Sequence, residues 1–288
     1  MSIDLYEEES RVDRLSVPSP TLPPATTTNC WRIYSGSNKA RIIVDPAATK
    51  RDIQNQLIER IPDSVQWIFL THHHKDHIGS VQLLKRERNL QVAASKKTAS
   101  LLSFDIDHIL YDNDLICIDD EVQFKQEEIQ EEIQDSTNEM IQVLHTPGHV
   151  DGHLCFHHLL QNWIICGDML AGEGTILLAP PEGDLEAYFQ SLKRLQKKQP
   201  NKLLPAHGCS LPIDKIQEYI DHRQMRNTQI LEALQQVATM QTPMEIAKNI
   251  YDLPAYVYPL AAKQVLCHLQ YLERHHMVKS QGTSFTLI

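Results

Sequence analysis

Three histidines and an aspartate crowd together at His72, His74, Asp76 and His77 in the string "THHHKDHIGS". The string follows the apolar run "VQWIFL", which reads as a buried strand. A loop leaving a strand can aim alternate side chains, here His72 and His74, at one point. Asp76 and His77 then turn toward a second point as a helix begins. Imidazole nitrogen and carboxylate oxygen are donors that suit zinc and related divalent ions. A polar loop that is histidine-rich by accident is the duller reading, and only further ligands can displace it.

Those ligands occur in places of the same kind. "VLHTPGHVDGH" puts His149 in a Gly/Pro loop just after a strand, "WIICGDML" puts Asp168 where an apolar strand ends, and "LLPAHG" puts His207 at another strand end. Each alone is ordinarily a satisfied polar side chain. Together with HxHxDH they are what convergence on one edge of a sheet requires.

The elements that must do the positioning are legible as periodicities. "NCWRIYSG" and "ARIIVDPA" read as paired strands around "SN", and "TKRDIQNQLIERI" has apolar residues at helical spacing. Strands and helices alternate to about Val122, and further strands follow at "IQVLHT", "HLCFHHLL", "NWIICGD" and "KLLPAHG". The stretch 126–139 is a biased acidic insert, read as a solvated hairpin tip or loop. "DLEAYFQSLKRLQKK" is an amphipathic helix. After Gly208 the texture changes to a long helix, a second helix opening on a Thr242–Glu245 capping box with Pro243 at its first position, a third helix and a terminal hairpin. The expected division is a catalytic domain over 1–210, a linking helix over 211–239 and a winged-helix-like domain over 240–288.

Composition excludes several classes. Of 288 residues 42% are hydrophobic and 22% charged, as in ordinary globular chains. No apolar run approaches the roughly 20 residues of a membrane span, and "MSIDLYEEES" resembles neither a secretory signal nor a mitochondrial presequence. A cytoplasmic protein without membrane association is expected. The scattered cysteines read as buried free thiols. A net charge of −10 argues against a general polyanion binder. The pairs His157–His158 and His275–His276 read as surface or partly buried, His153 as a candidate neighbour of the ligands, and His222 and Arg223 as helix-packing residues.

HxHxDH, then the histidine of "TPGH", the aspartate of "GD" and the histidine of "HG", resembles the complete ligand pattern of the metallo-β-lactamase superfamily over residues of about 25 to 210. The resemblance implies an α+β fold, an αββα metallo-β-lactamase sandwich, here with a C-terminal winged-helix-like helical domain. It implies one metal site from His72, His74 and His149, a second from Asp76, His77 and His207, and Asp168 bridging them. Asp45 in "IIVDPA" matches the early aspartate that supports the metal loop without ligating, although the family pattern continues with Thr-Gly where this chain has Pro-Ala. "GDMLAGEGT", "DLEAYFQSLKRL", "YIDHRQMRNTQIL" and the tail narrow the resemblance to the lactamase-β-like subfamily, whose best-known members are endoribonucleases. "TTTNCWRI" aligns Asn29 with an asparagine of that group.

The implied activity is that of a hydrolase with two Zn2+ ions per chain, iron or manganese being alternatives that the donors admit. A hydroxide between the ions would be the nucleophile, and Asp76 would both bind metal and orient it. Relatives that cleave β-lactams generally carry a cysteine at the position of Asp168, which disfavours that chemistry. The expected substrate is a small ester or thioester, with single-stranded RNA as the alternative. Against RNA, the tail's Lys248, Lys263, Arg274 and Lys279 are nearly cancelled by Glu245, Asp252 and Glu273. A mononuclear iron dioxygenase and a non-catalytic regulator on the same fold are the other readings, and a homodimer is compatible with each.

Overall fold

Alternation along β4 (Ala40–Val44) shows how the first unit is layered: Ile42 and Val44 face one apolar core and Ile43 faces another. A strand buried on both faces belongs to the middle of a layered structure. The computed structural model describes residues 2–119, 121–125 and 139–288, so the acidic insert lies outside the described residues except for Glu139.

The chain divides into two compact units, the first comprising 1–146, 152–175 and 198–213. Its seven-stranded sheet runs in sequence order: β1 (Asp4–Glu9), β2 (Val12–Pro18), β3 (Thr27–Tyr34), β4, β5 (Trp67–Phe69), β6 (Gln91–Ser95) and β7 (His108–Leu110). Pairing is antiparallel as far as β4 and parallel beyond it. The parallel crossovers carry α1 (Arg51–Arg60), then α2 (Lys75–Ile78) with α3 (Val81–Arg88), and last α4 (Lys96–Leu101). Ile53 and Leu57 of α1 and Val81 and Leu84 of α3 share a core with Ile43 and Ile68, so these helices cover one face of the sheet.

The second sheet is six-stranded, in the order β13 (Lys202–Pro205), β12 (Trp163–Gly167), β11 (Leu154–His158), β10 (Met140–His145), β8 (Leu115–Ile118) and β9 (Val122–Lys125). Its Ile141, Phe156 and Ile165 pack with Trp31, Ile42 and Phe69 of the first sheet, and the Phe69 and Phe156 rings lie 5.4 Å apart. Each such side chain contributes on the order of 1.5–3 kcal/mol by leaving water.

The acidic N-terminus forms β1, an exposed edge strand whose charges discourage pairing with other chains. Two expectations are corrected here. His157 and His158 are buried, because β11 is an interior strand with both faces covered. His157 Nε2 pairs with Asn162 Oδ1, and His158 Nδ1 accepts from Gln161 N. Of the cysteines, five are buried and free as expected, whereas Cys209 is exposed.

The second unit comprises 147–151, 176–197 and 214–288. It contains α5 (Leu185–Lys197), α6 (Lys215–Gln235), α7 (Pro243–Ile250), α8 (Tyr258–Arg274) and the hairpin of β14 (Val278–Gln281) with β15 (Ser284–Leu287). Ile230, Leu234, Ile246, Val265, Leu269 and Phe285 form its core. The capping box of α7 is present, with both the Thr242 and the Glu245 bonds made. Among the described residues no helix is long and apolar enough to cross a membrane.

Candidate metal centre

Every sequence-predicted ligand leaves the C-terminal end of a strand or the loop of a hairpin at one end of the sandwich. β5 ends at Phe69, and His72, His74, Asp76 and His77 follow through α2. β12 and β13 are parallel neighbours with Gly167 opposite Pro205, so Asp168 and His207 emerge side by side. The hairpin of β10 and β11 closes with Thr146 N donating to His153 O, and the loop held between them carries His149. The two sheets are joined at this end. Leu154 N donates to Thr71 O at 2.8 Å, and Asn29 N donates to Ala206 O at 2.7 Å.

The ligands fall into two groups. In one, donor atoms of His72, His74, His149 and Asp168 all lie within 4.8 Å of one another, and the same holds for Asp76, His77 and His207 in the other. Asp168 faces both. Its Oδ2 is 4.0 Å from His72 Nε2, while its Oδ1 is 3.5 Å from His77 Nε2 and 3.4 Å from His207 Nε2. Asp76 reaches His207 Nε2 at 3.7 Å and His77 Nε2 at 4.0 Å. Donors each about 2.1 Å from a tetrahedral ion stand ~3.4 Å apart. Most of these spacings exceed a hydrogen bond and suit atoms gathered around a cation.

Four of the imidazoles are oriented from behind. His207 Nδ1 donates to Thr27 O at 3.0 Å and His149 Nδ1 to Leu177 O at 2.9 Å. A carbonyl only accepts, so Nδ1 carries the proton and the Nε2 lone pair is left for a metal. Asp45 does the same for His77: its Oδ2 accepts from His77 Nδ1 at 2.8 Å and from Thr71 Oγ1 at 2.6 Å, while Oδ1 accepts from Thr71 N at 2.8 Å. Thr71 Oγ1 in turn meets His72 Nδ1 at 3.0 Å. Asp45 thus supports the loop, despite the Pro-Ala that follows it. Its backbone is left-handed, with φ of +53°, which aspartate tolerates better than most residues.

The donors fit a cation on two further grounds. His77 Nε2 is buried without a hydrogen-bond partner among the described residues, an arrangement that costs energy unless something fills the place. Burial works against a charge on this ring, but Asp168, Asp45 and Asp76 outweigh it and push its pKa up to about 10. The cluster is therefore a sink for positive charge.

The same geometry ranks the remaining residues. His153 is buried and touches the ligand set, its Nε2 accepting from Asp168 N at 3.1 Å and its Nδ1 facing Thr146 Oγ1 at 2.9 Å. Asn29 Nδ2 donates to Pro205 O and Gly208 O, and Arg14 Nη1 also reaches Gly208 O, so these two clamp the turn that presents His207. Thr71 and Arg14 were not singled out from the sequence. Thr71 begins the histidine string and could have been found there, but nothing local marks Arg14. His275 and His276 are exposed, as expected of surface residues.

The metallo-beta-lactamase superfamily model matches residues 23–207, and that of the beta-lactamase associated winged helix domain matches 242–285. This chain belongs to the metallo-β-lactamase superfamily. It is 29% identical over 277 residues to a Beta-lactamase-like protein 2 homolog of Drosophila melanogaster, covering 92% of this chain and 88% of that one. It is 27% identical over 264 residues to the atrochrysone carboxyl ACP thioesterase of Passalora fulva, covering 86% and 70%. A solved beta-lactamase domain protein from Burkholderia ambifaria shares the fold with a TM-score of 0.79, at 17% identity, covering 99% of this chain and 94% of that one. The superfamily's metallo-β-lactamase fold with a winged-helix tail is thus the fold of this chain, and its His/Asp cluster suits divalent metal.

Proposed function

We propose that this protein is a dinuclear zinc hydrolase acting on a small ester or thioester. The observation that carries the reading is the pair of ligand groups with Asp168 facing both. Zinc ions held there would lower the pKa of a bound water toward 7 and polarise the substrate carbonyl.

The chain's own residues supply the rest. His72, His74 and His149 would hold one ion and Asp76, His77 and His207 the other, with Asp168 facing both. Asp76, less buried than His77 beside it, orients the attacking water and accepts its proton. Attack on the acyl carbon forms a C–O bond and breaks the C–S or C–O bond of the leaving group. The departing thiolate or alkoxide then takes up a proton, giving an acid and a thiol or alcohol. The thioesterase among the relatives supports an acyl substrate. The net charge of −10 and the nearly balanced charges of the tail weigh against a polyanion.

The test is a panel of acyl thioesters, esters and lactones, beside single-stranded RNA, each with a chelated control. We expect turnover of an acyl substrate that chelator abolishes. His74→Ala and Asp168→Ala should each reduce it by at least a thousandfold while leaving circular dichroism unchanged. Full activity of either variant, or cleavage of RNA with no acyl turnover, would overturn the reading.

A further inference from the structure

The loop that presents His149 belongs to the second unit and is tied to the rest of that unit through its backbone and through the imidazole. Pro147 O accepts from Ser191 Oγ at 2.7 Å, and Gly148 O accepts from Asp184 N at 2.8 Å. Gly148 has φ of +136°, and a Cβ there would collide with the Cα and N of Tyr188, so glycine alone permits so close an approach. The third tie is the bond from His149 Nδ1 to Leu177 O.

Leu177 is itself held on both sides. Ile176 O accepts from Arg223 Nη2 at 2.5 Å, and Leu178 N donates to Gln264 Oε1 at 3.3 Å. Arg223 belongs to α6 and Gln264 to α8. Arg223 is only 1% exposed, stands 5.5 Å from the Tyr188 ring, and spends its one hydrogen bond among the described residues on that carbonyl. Burying a guanidinium is costly, and a shorter apolar side chain would fill a helix interface at less cost. Its reach to the 176–178 segment is what an apolar residue could not supply.

We infer that the helices of the second unit brace one ligand of the metal centre: Arg223 and Gln264 hold the Ile176–Leu178 strap so that the Leu177 carbonyl fixes the ring and tautomer of His149. Both are positioning residues, acting through the strap and touching no substrate. The inference rests on the metal-centre reading above and extends it, because it gives the winged-helix unit a task in metal binding that requires no nucleic acid.

The experiment uses the full chain, stripped with chelator and titrated with Zn2+ against a competing chelator. The wild type must first bind Zn2+; if it takes up none, the metal reading itself fails. Given that binding, Arg223→Met should weaken the site that contains His149 by 10- to 100-fold, the range typical for partners behind a ligand. The Asp76, His77 and His207 site should keep its affinity, and Arg223→Lys, which retains a donor, should recover most of the loss. Arg223→Met with wild-type affinity, or with a lowered melting temperature and unchanged affinity, would overturn the inference and leave the metal reading standing. If Arg223→Met does not fold, Gln264→Leu decides in its place: at least threefold weaker Zn2+ binding supports the brace, and unchanged binding overturns it.

Discussion

Asp45 shows how much of the candidate metal centre is held in place by a residue outside both donor groups. Its two oxygens accept three hydrogen bonds, from Thr71 N, Thr71 Oγ1 and His77 Nδ1. Asparagine is nearly isosteric and is at home in a left-handed backbone, so Asp45→Asn isolates the hydrogen bonding. Whichever way the amide turns, one NH2 group faces a donor. That leaves a buried donor unsatisfied, at about 1–3 kcal/mol, and releases the ring of His77. We expect a lower denaturation midpoint together with a 10- to 100-fold loss of Zn2+ affinity at the Asp76, His77 and His207 group. Wild-type affinity in this variant, measured by chelator competition, would show that Asp45 only supports the fold.

At the scale of elements, the parts governed by local rules were legible. HxHxDH, "TPGH", "GD" and "HG" were readable because the candidate donors sit where strands end, and apolar runs followed by Gly or Pro mark those ends. The capping box of α7 was readable because Thr242, Pro243 and Glu245 act within one turn. We therefore expect Thr242→Ala to cost about 1 kcal/mol and lower the melting temperature by roughly 2–4 °C, with acyl hydrolysis and Zn2+ affinity unchanged. A loss of metal from that variant would mean that α7 does more than support its own unit. What stayed hidden depends on partners distant in sequence. His158 looks like a surface residue until β10 and β12 flank it and both faces of β11 are covered. The bracing of His149 by Leu177 uses a backbone carbonyl, which no residue type announces. β1 was obscured by acidic residues that suit an exposed edge.

For the molecule as a whole, the buried histidines predict how stability varies with pH. Burial, aided by neighbouring His157 and Arg11, lowers the pKa of His158 to about 4. Glu139 Oε2 lies 3.0 Å from its Nε2 and pulls the other way, but Arg11 matches that carboxylate at 2.8 Å, so burial prevails. Burial also lowers His157 and, with Arg223 and Arg226, lowers His268. In the unfolded chain a histidine titrates near 6.5. Between pH ~6.5 and about 4 the unfolded state therefore binds the extra proton, and stability falls as pH falls. The contribution of His158 is fully present above pH ~6.5 and lost progressively toward pH 4, amounting to about 2 kcal/mol between pH 8 and pH 5. Urea unfolding at those two pH values, in chelator so that ligand protonation is common to both proteins, should show a drop for His158→Gln smaller than the wild-type drop by that amount. Equal losses in the two proteins would mean that Glu139 keeps His158 charged in the folded state, and that the acid sensitivity of this molecule arises elsewhere.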